Sequence, residues 1–219
     1  MRTIVYVDGY NLYYGLLRKS PYKWLDLYTL FQNHVLSSST EVIEVRYYTA
    51  PVKKDMSDDP ESPRRQRIYL QALKKMPPCK VCIIEGSIES SKPRRRLVET
   101  IPERPDLTKV RVWQFSEKKT DVNLATDMLT AALTNACEQI VLCSNDSDLE
   151  GALAAICRHT DIQIGLVAPI PSDDHRKITT DLKKFSHWSK KLSVVHLENS
   201  QLPDVIPRQT KPIKKPQGW

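Results

Sequence analysis

The chain opens on an unbroken apolar run, Ile4-Val5-Tyr6-Val7, that stops at Asp8. β-Branched and aromatic residues without polar alternation mark a strand covered on both faces, as in the middle of a parallel sheet. Residues 43–49 (IEVRYYT) and 80–85 (KVCIIE) repeat the pattern. Between these runs the apolar period becomes helical: Leu27, Leu30, Phe31 and Val35 within 24–36, then Ile68, Leu70 and Leu73 within 60–75. The order so far is βαβαβ. A Pro- and Arg-rich connection follows, and with the strand-like run 110–115 (VRVWQF) it predicts a hairpin excursion off the sheet within 81–115.

Helical spacing resumes over 121–137, where Val122, Ala125, Leu129, Leu133 and Ala136 share one face and Asp121 is placed to cap the helix. A strand (QIVLC, 139–143), a short helix over 149–158 and a further strand (IQIGLVA, 162–168) come next. Strands alternating with helices predict an α/β fold of three layers, Rossmann-like, with a mostly parallel central sheet and right-handed crossovers. Past Ser200 the chain turns Pro- and Lys-rich, so the expected organisation is a domain over 1–199 and an extended C-terminal tail over 200–219, with Trp219 favouring docking of that tail.

This topology gives the acidic residues their meaning. Asp8 follows the first strand, Asp146 and Asp148 follow QIVLC, and Asp121 opens a helix. Ligands of open α/β sheets bind beyond the carboxyl ends of the strands, so carboxylates ~140 positions apart in sequence are expected to meet there. Two carboxylates about 4 Å apart repel by roughly 4 kcal/mol at an effective dielectric of 20, so such a cluster persists only if protonated or holding a cation. Oxygen ligands without His or thiolate favour Mg²⁺ or Mn²⁺. A simpler use of Asp8 and Asn11 is to cap the following helix, and one of Asp146 and Asp148 can do the same. Asp127 lies on a polar helical stripe with Asn123, Thr130 and Thr134, which makes it structural or supporting. Lys118 and Lys119, just before Asp121, are placed to neutralise a phosphate.

Charge sharpens the choice of partner. The net charge is +7 with a pI near 9.1, which favours polyanions. Residues 92–119 hold nine Lys or Arg, including Arg94, Arg95 and Arg96, against four acids, so that segment alone carries +5. A solvated loop and a phosphate-binding patch both fit it. Hydrophobic content of 40% is that of a globular protein, and no apolar stretch reaches the ~20 residues that span a bilayer. The start of the chain lacks a signal-peptide design, so no membrane association and a cytoplasmic location are expected. Five scattered cysteines fit reduced thiols, with Cys82, Cys143 and Cys157 expected in the core; the Cys79/Cys82 pair lacks the partners of a zinc site. The phosphate loops G-x-x-x-x-G-K-[ST] and G-x-G-x-x-G and the hydrolase elbow G-x-S-x-G are absent.

Three blocks, IVYVDGYNLYYGL at 4–16, EKKTDVNLATDML at 117–129 and IVLCSNDSDL at 140–149, together resemble the NYN domain, a branch of the PIN-like nuclease superfamily, and most of all its bacterial LabA-like members. The resemblance implies a PIN-like fold and an acidic Mg²⁺- or Mn²⁺-dependent ribonuclease-type site. It makes Asp8, Asp121, Asp146 and Asp148 the metal-binding and catalytic acids, with Asn11 and Asp127 in support. Many relatives have Gly where Lys119 and Asn145 stand and Phe where Leu149 stands; these departures concern loop shape and substrate access. The expected activity is hydrolysis of RNA, with Lys118 steadying the phosphate, Arg94, Arg95, Arg96 and Lys119 tracking the backbone, and tyrosines or Trp113 stacking on bases. A homo-oligomer is compatible with this reading. Two alternatives stay open: an RNA- or protein-binding module without turnover, and another Mg²⁺-dependent phosphohydrolase. Of the latter, Toprim enzymes share the D-x-D after a strand but place Glu where Asp8 stands. Haloacid-dehalogenase-like phosphatases want D-x-D directly after strand one, where Tyr10 holds the second position.

Overall fold

In a computed structural model, describing residues 1–56, 59–209 and 211–219, β1 (Arg2–Asp8) leads directly into α1 (Gly9–Leu12), which widens to a π-helical turn over Tyr13–Leu17. The next helix, α2 (Leu27–Thr29), widens likewise over Leu30–Val35 before β2 (Glu41–Thr49), and α3 (Ser62–Lys75) precedes β3 (Val81–Glu85). Strands β4 (Ser87–Ser91), β5 (Arg94–Arg96), β6 (Lys109–Arg111) and β7 (Gln114–Lys118) form the excursion. The second half runs α4 (Thr120–Leu133), β8 (Gln139–Cys143), α5 (Glu150–His159), β9 (Gln163–Pro171), α6 (Thr180–Lys183), β10 (Trp188–Leu192) and α7 (Val194–Glu198). Two short strands, β11 (Val205–Ile206) and β12 (Ile213–Lys214), pair in the tail.

The central sheet has the order β10-β9-β8-β1-β2-β3, and every neighbouring pair is parallel. From β1 the chain winds outward through β2 and β3, then returns to β8 on the other side of β1 and winds the opposite way. The switch point therefore lies between β1 and β8, the two strands that end in the acidic motifs, and this is where ligands of doubly wound sheets bind. Alternation along each central strand divides the core in two. Val5, Val7, Val141 and Cys143 pack with Trp24, Leu27, Phe31, Tyr69 and Leu73 on one face, whereas Ile4, Tyr6, Ile140 and Leu142 pack with Leu124, Met128, Leu153 and Ile156 on the other. The tail docks on the first face, with Trp219 edge-on to Trp24 at 6.3 Å and tilted on Tyr69 at 5.2 Å.

The excursion predicted off the sheet is present as two antiparallel ribbons, β4 with β7 and β5 with β6, so the run 110–115 is split between two strands. Helix α4 departs from the periodicity reading in three ways. Its buried face is Leu124, Met128, Ala131 and Ala132 rather than the stripe through Val122 and Leu133, which are 69% and 57% exposed. Both stripes have helical spacing, and the large Tyr6 and Tyr48 rings of the facing sheet favour the one with Leu and Met opposite small alanines. The helix also stops at Leu133, because Asn135 turns left-handed at φ 51° and the Asn135 and Ala136 N–H groups bond back to Ala132 and Ala131 in a Schellman arrangement. Finally, Asp121 lies in the first turn and Lys119 holds the cap position, with no side-chain cap bond. Two of the cysteines expected in the core, Cys82 and Cys157, are exposed; Cys143 and Cys137 are buried.

Lys119 sits at φ 78°, a backbone state that costs a non-glycine residue on the order of 1 kcal/mol. Glycine is at home there. Lys119→Gly is expected to raise stability by about 1 kcal/mol, read as a higher urea midpoint at unchanged slope.

Candidate active site

Each acidic motif at the switch point caps the helical turn that follows it. Asp8 is 3% exposed; its Oδ1 accepts the Asn11 N–H at 2.9 Å and its Oδ2 accepts the Ser144 hydroxyl at 2.9 Å. The Ser144 Oγ in turn accepts the Asp146 N–H at 3.1 Å, and Asp146 Oδ1 accepts the Asp148 N–H at 3.0 Å, capping the turn Ser147–Leu149. Asn11 Oδ1 accepts the Asn145 N–H at 3.0 Å, and Asn145 Oδ1 accepts the Thr179 N–H at 2.9 Å. The loops after β1 and β8 are thus tied together by Asp8 and Asn11. Gly9 is required by contact: a Cβ there would stand 2.5 Å from the Tyr48 carbonyl oxygen and 2.8 Å from the Tyr47 ring.

The structure brings the four aspartates into one electrostatic neighbourhood. The Asp8 carboxyl is pushed up to about 6, first by burial and further by the charges of Asp121 and Asp146, against the pull of its two hydrogen bonds. Asp121, exposed on the first turn of α4, is raised by desolvation and then by Asp146 and Asp148. As the side chains stand, no three His, Cys, Asp or Glu among the described residues are grouped closely enough to hold a metal ion. Hydrogen bonding accounts for this in part, because Asp8 and Asp146 are turned onto backbone and hydroxyl donors rather than onto a common point. A carboxylate has about four lone-pair sites, so these bonds leave acceptor capacity on each.

Sequence reasoning missed Glu117. It is the penultimate residue of β7, four positions before Asp121 within the EKKTD motif, and its carboxyl is raised to about 7 by burial, with Asp121 and Asp8 adding to the rise and Thr120 opposing it. Glu117 Oε1, Thr120 Oγ1 and the Tyr10 hydroxyl are buried without hydrogen-bond partners among the described residues. Burial raises the Tyr10 hydroxyl and the Glu117 charge raises it further, so the two lie within electrostatic reach of each other. The signal available in the sequence was position alone, since an acid at the end of an excursion strand looks like ordinary surface charge. All-oxygen donors with an orphaned buried carboxylate oxygen beside them fit a hard divalent cation chemically.

Asp127 belongs elsewhere. Its Oδ2 accepts the buried Tyr48 hydroxyl at 2.6 Å and its carbonyl accepts Tyr6 at 3.3 Å, so it ties α4 to the sheet. Tyr48→Phe is expected to cost about 2 kcal/mol in urea unfolding, the worth of a hydrogen bond to a charged acceptor, with catalytic turnover unaltered. In the basic ribbon Arg94 faces Arg111 and Arg96 faces Lys109 across β5 and β6. All four are exposed, and like charges directly opposite destabilise a ribbon unless an anion lies between them. Beside it the Lys92 ammonium lies 3.9 Å from the centre of the half-exposed Trp113 ring. Lys118 is exposed at the end of β7, next to Glu117. Arg64 and Arg65 are less available, being paired with Glu61 and Asp59.

With the switch point and its acids in view, the family follows. The NYN domain model matches residues 2–186. The chain belongs to the NYN domain family. NYN domains form part of the PIN-like nuclease superfamily, which is generally associated with nucleic-acid hydrolysis. One relative of this NYN chain is 6-hydroxy-3-succinoylpyridine 3-monooxygenase HspA of Pseudomonas putida, 36% identical over 239 aligned positions that cover 100% of this chain and 75% of that protein. In fold the chain is similar to the crystal structure of a Vibrio parahaemolyticus protein of unknown function, with a TM-score of 0.54 and 15% identity over 92% of this chain and 96% of the other.

Proposed function

We propose that this NYN domain is a metal-dependent ribonuclease that hydrolyses phosphodiester bonds of single-stranded RNA. What supports the reading is that β1 and β8, the two strands flanking the switch point, lead into Asp8 and into Asp146 and Asp148, and that Asp8 and Asp121 are raised first by burial and then by the charges of these acids. Asp8, Asp121, Asp146 and Asp148, with Glu117 beside them, would hold Mg²⁺ or Mn²⁺. When bound, the ion supplies the positive charge that activates a water and stabilises a departing oxygen. Asn11 fixes the two acidic loops relative to each other through the Asn145 backbone. Asp148, exposed at the rim, is free to orient a water, and Lys118 to meet a phosphate. Lys119 and the Arg94–Arg96 ribbon supply the sequence-independent attraction to an RNA backbone, and exposed Trp113 a stacking surface.

The test is cleavage of single-stranded RNA by the purified chain with Mn²⁺; intact RNA at high protein concentration would leave a binding module instead. Replacing Arg94, Arg95 and Arg96 together by alanine is expected to weaken RNA binding and to reduce the salt slope of log affinity by about 2. An unchanged slope would take the ribbon out of the interface.

A second reading rests on the relation to HspA, whose name gives it oxygenation of a hydroxylated pyridine. On that reading the same crevice would receive a small heteroaromatic acid. Oxygen consumption with 6-hydroxy-3-succinoylpyridine and a two-electron donor, alongside intact RNA, would favour it over hydrolysis.

A further inference from the structure

Immediately beside Asp8 lies a cavity of about 440 Å³ that the acidic site does not use. Gly9 and Tyr10, the two residues after Asp8, form its edge, and the Tyr47 ring in its wall feels the Asp8 charge. Its lining is aromatic to an unusual degree: Tyr10, Tyr13, Tyr14, Tyr47, Tyr69 and Trp219. The volume is that of a small-molecule site, and such sites combine apolar walls with a few placed polar groups.

Core packing explains only part of this lining. Tyr47 and Tyr69 are buried, and the Tyr69 hydroxyl is spent on the Leu25 carbonyl at 2.8 Å. Tyr13 and Tyr14 are different, being 36% and 55% exposed at the rim, stacked edge-on at 5.2 Å. Tyr14 also stacks against Tyr10 at 5.8 Å, and the hydroxyl of Tyr10 is buried without a partner among the described residues. Exposed aromatic rings at the rim, with Tyr10 and Tyr47 further along the wall, make a surface for a flat ring.

Charge selects among flat rings. Arg18, Lys23 and Arg65 line the cavity, against Asp55 and Asp59. Arg65 is paired with Asp59. Among the described residues neither Arg18 nor Lys23 has a carboxylate partner; the Arg18 guanidinium lies 5.5 Å from the centre of the Tyr14 ring. Two cations without a carboxylate partner among the described residues, beside an aromatic wall, suit an anion attached to the ring.

We propose that this cavity binds a planar aromatic or heteroaromatic ring carrying an anionic group, stacked on Tyr10, Tyr14 and Trp219 with its anion toward Arg18 and Lys23, and so holds it next to Asp8. Two sources share that chemistry, a nucleotide unit of RNA and a pyridine bearing a carboxylate. The inference does not depend on which reaction follows.

The experiment uses the full chain and follows tryptophan fluorescence and ligand-observed NMR during titration with uridine 5′-monophosphate and with 6-hydroxynicotinate. Uridine and 2-hydroxypyridine serve as their neutral counterparts. At least one anionic ligand is expected to bind about tenfold more tightly than its neutral counterpart, and Arg18→Ala with Lys23→Ala to abolish that preference. Lys19→Ala, an exposed cation outside the cavity, should keep it, and thermal melting reports folding in each case. The tighter of the two anions names the source. No binding of either at millimolar concentration, or a preference that survives in the double variant, overturns the proposal. Asp8→Asn separates it from the ribonuclease reading, because that variant is expected to lose cleavage and keep the cavity's ligand.

Discussion

Asp8→Asn and Asp146→Asn are each expected to lower the rate of RNA cleavage by about 10³-fold or more, a loss of roughly 4 kcal/mol of transition-state stabilisation. Asparagine is nearly isosteric with aspartate and its amide oxygen can still accept the N–H of Asn11 or of Asp148, so each cap survives. What disappears is negative charge at the switch point, which a divalent ion and the water it activates require. Asp127→Asn is the internal comparison, since Asp127 spends its carboxylate on Tyr48, and it should affect melting more than turnover. If Asp8→Asn and Asp146→Asn each cleave RNA at the wild-type rate, the ribonuclease assignment is wrong.

The metal-free protein is expected to lose stability as pH rises from 5 to 8. The folded state raises Asp8 from 3.8 to about 6 and Glu117 from 4.5 to about 7, in both cases chiefly through burial. Both groups therefore hold protons in the native state that the unfolded chain has already released. Stability from each is fully present below its unfolded value and drains away as pH climbs through the folded one, near 6 for Asp8 and near 7 for Glu117. For Asp8, 3% exposed, the shift corresponds to about 3 kcal/mol. Urea unfolding at pH 4, 5 and 8 follows the loss, of which about half for Asp8 falls below pH 5. Asp8→Asn should remove the Asp8 share of that slope, leave the share that Glu117 contributes up to about pH 7, and unfold later than wild type at pH 8. On the proposed metal-dependent reading, Mn²⁺ should restore stability at pH 8, where the acids are ionised, and do little at pH 5. A stability profile that rises toward pH 8 in metal-free protein would contradict the burial of these acids.

Strands were legible wherever a residue had to be apolar on both faces. The run ending at Asp8 and the run QIVLC could be read because central parallel strands permit no alternation, and the switch point between them followed from the alternation of strands and helices. Strand β10 (Trp188–Leu192) left no such mark: it lies at the sheet edge, carries Lys190 and Lys191, and reads as surface. The face of α4 was misread because two stripes of helical spacing coexist, and only the Tyr6 and Tyr48 rings opposite decide between them.

The placement of Asp8, Asn11 and Asp146 followed from strand ends alone. Their hydrogen bonds to Ser144, Asn145 and Asp148 did not, because caps depend on backbone direction after the strand. Glu117 was invisible for a different reason. It is partly buried where β7, paired with β4, runs into α4, and an acid on an excursion strand carries no local mark of that burial. The aromatic cavity likewise gathers tyrosines from α1, β2 and α3 with Trp219 of the tail, and its members are unremarkable one by one in the sequence.

The most direct measurement is a crystal of the chain soaked in Mn²⁺ at pH 8, with data collected for anomalous scattering. An anomalous peak between Asp8 and Asp146, with the Asp121 carboxylate turned toward it, is the predicted result. Featureless density there, with the acids still bound only to Asn11, Ser144 and Asp148, would contradict a metal-dependent site at this switch point.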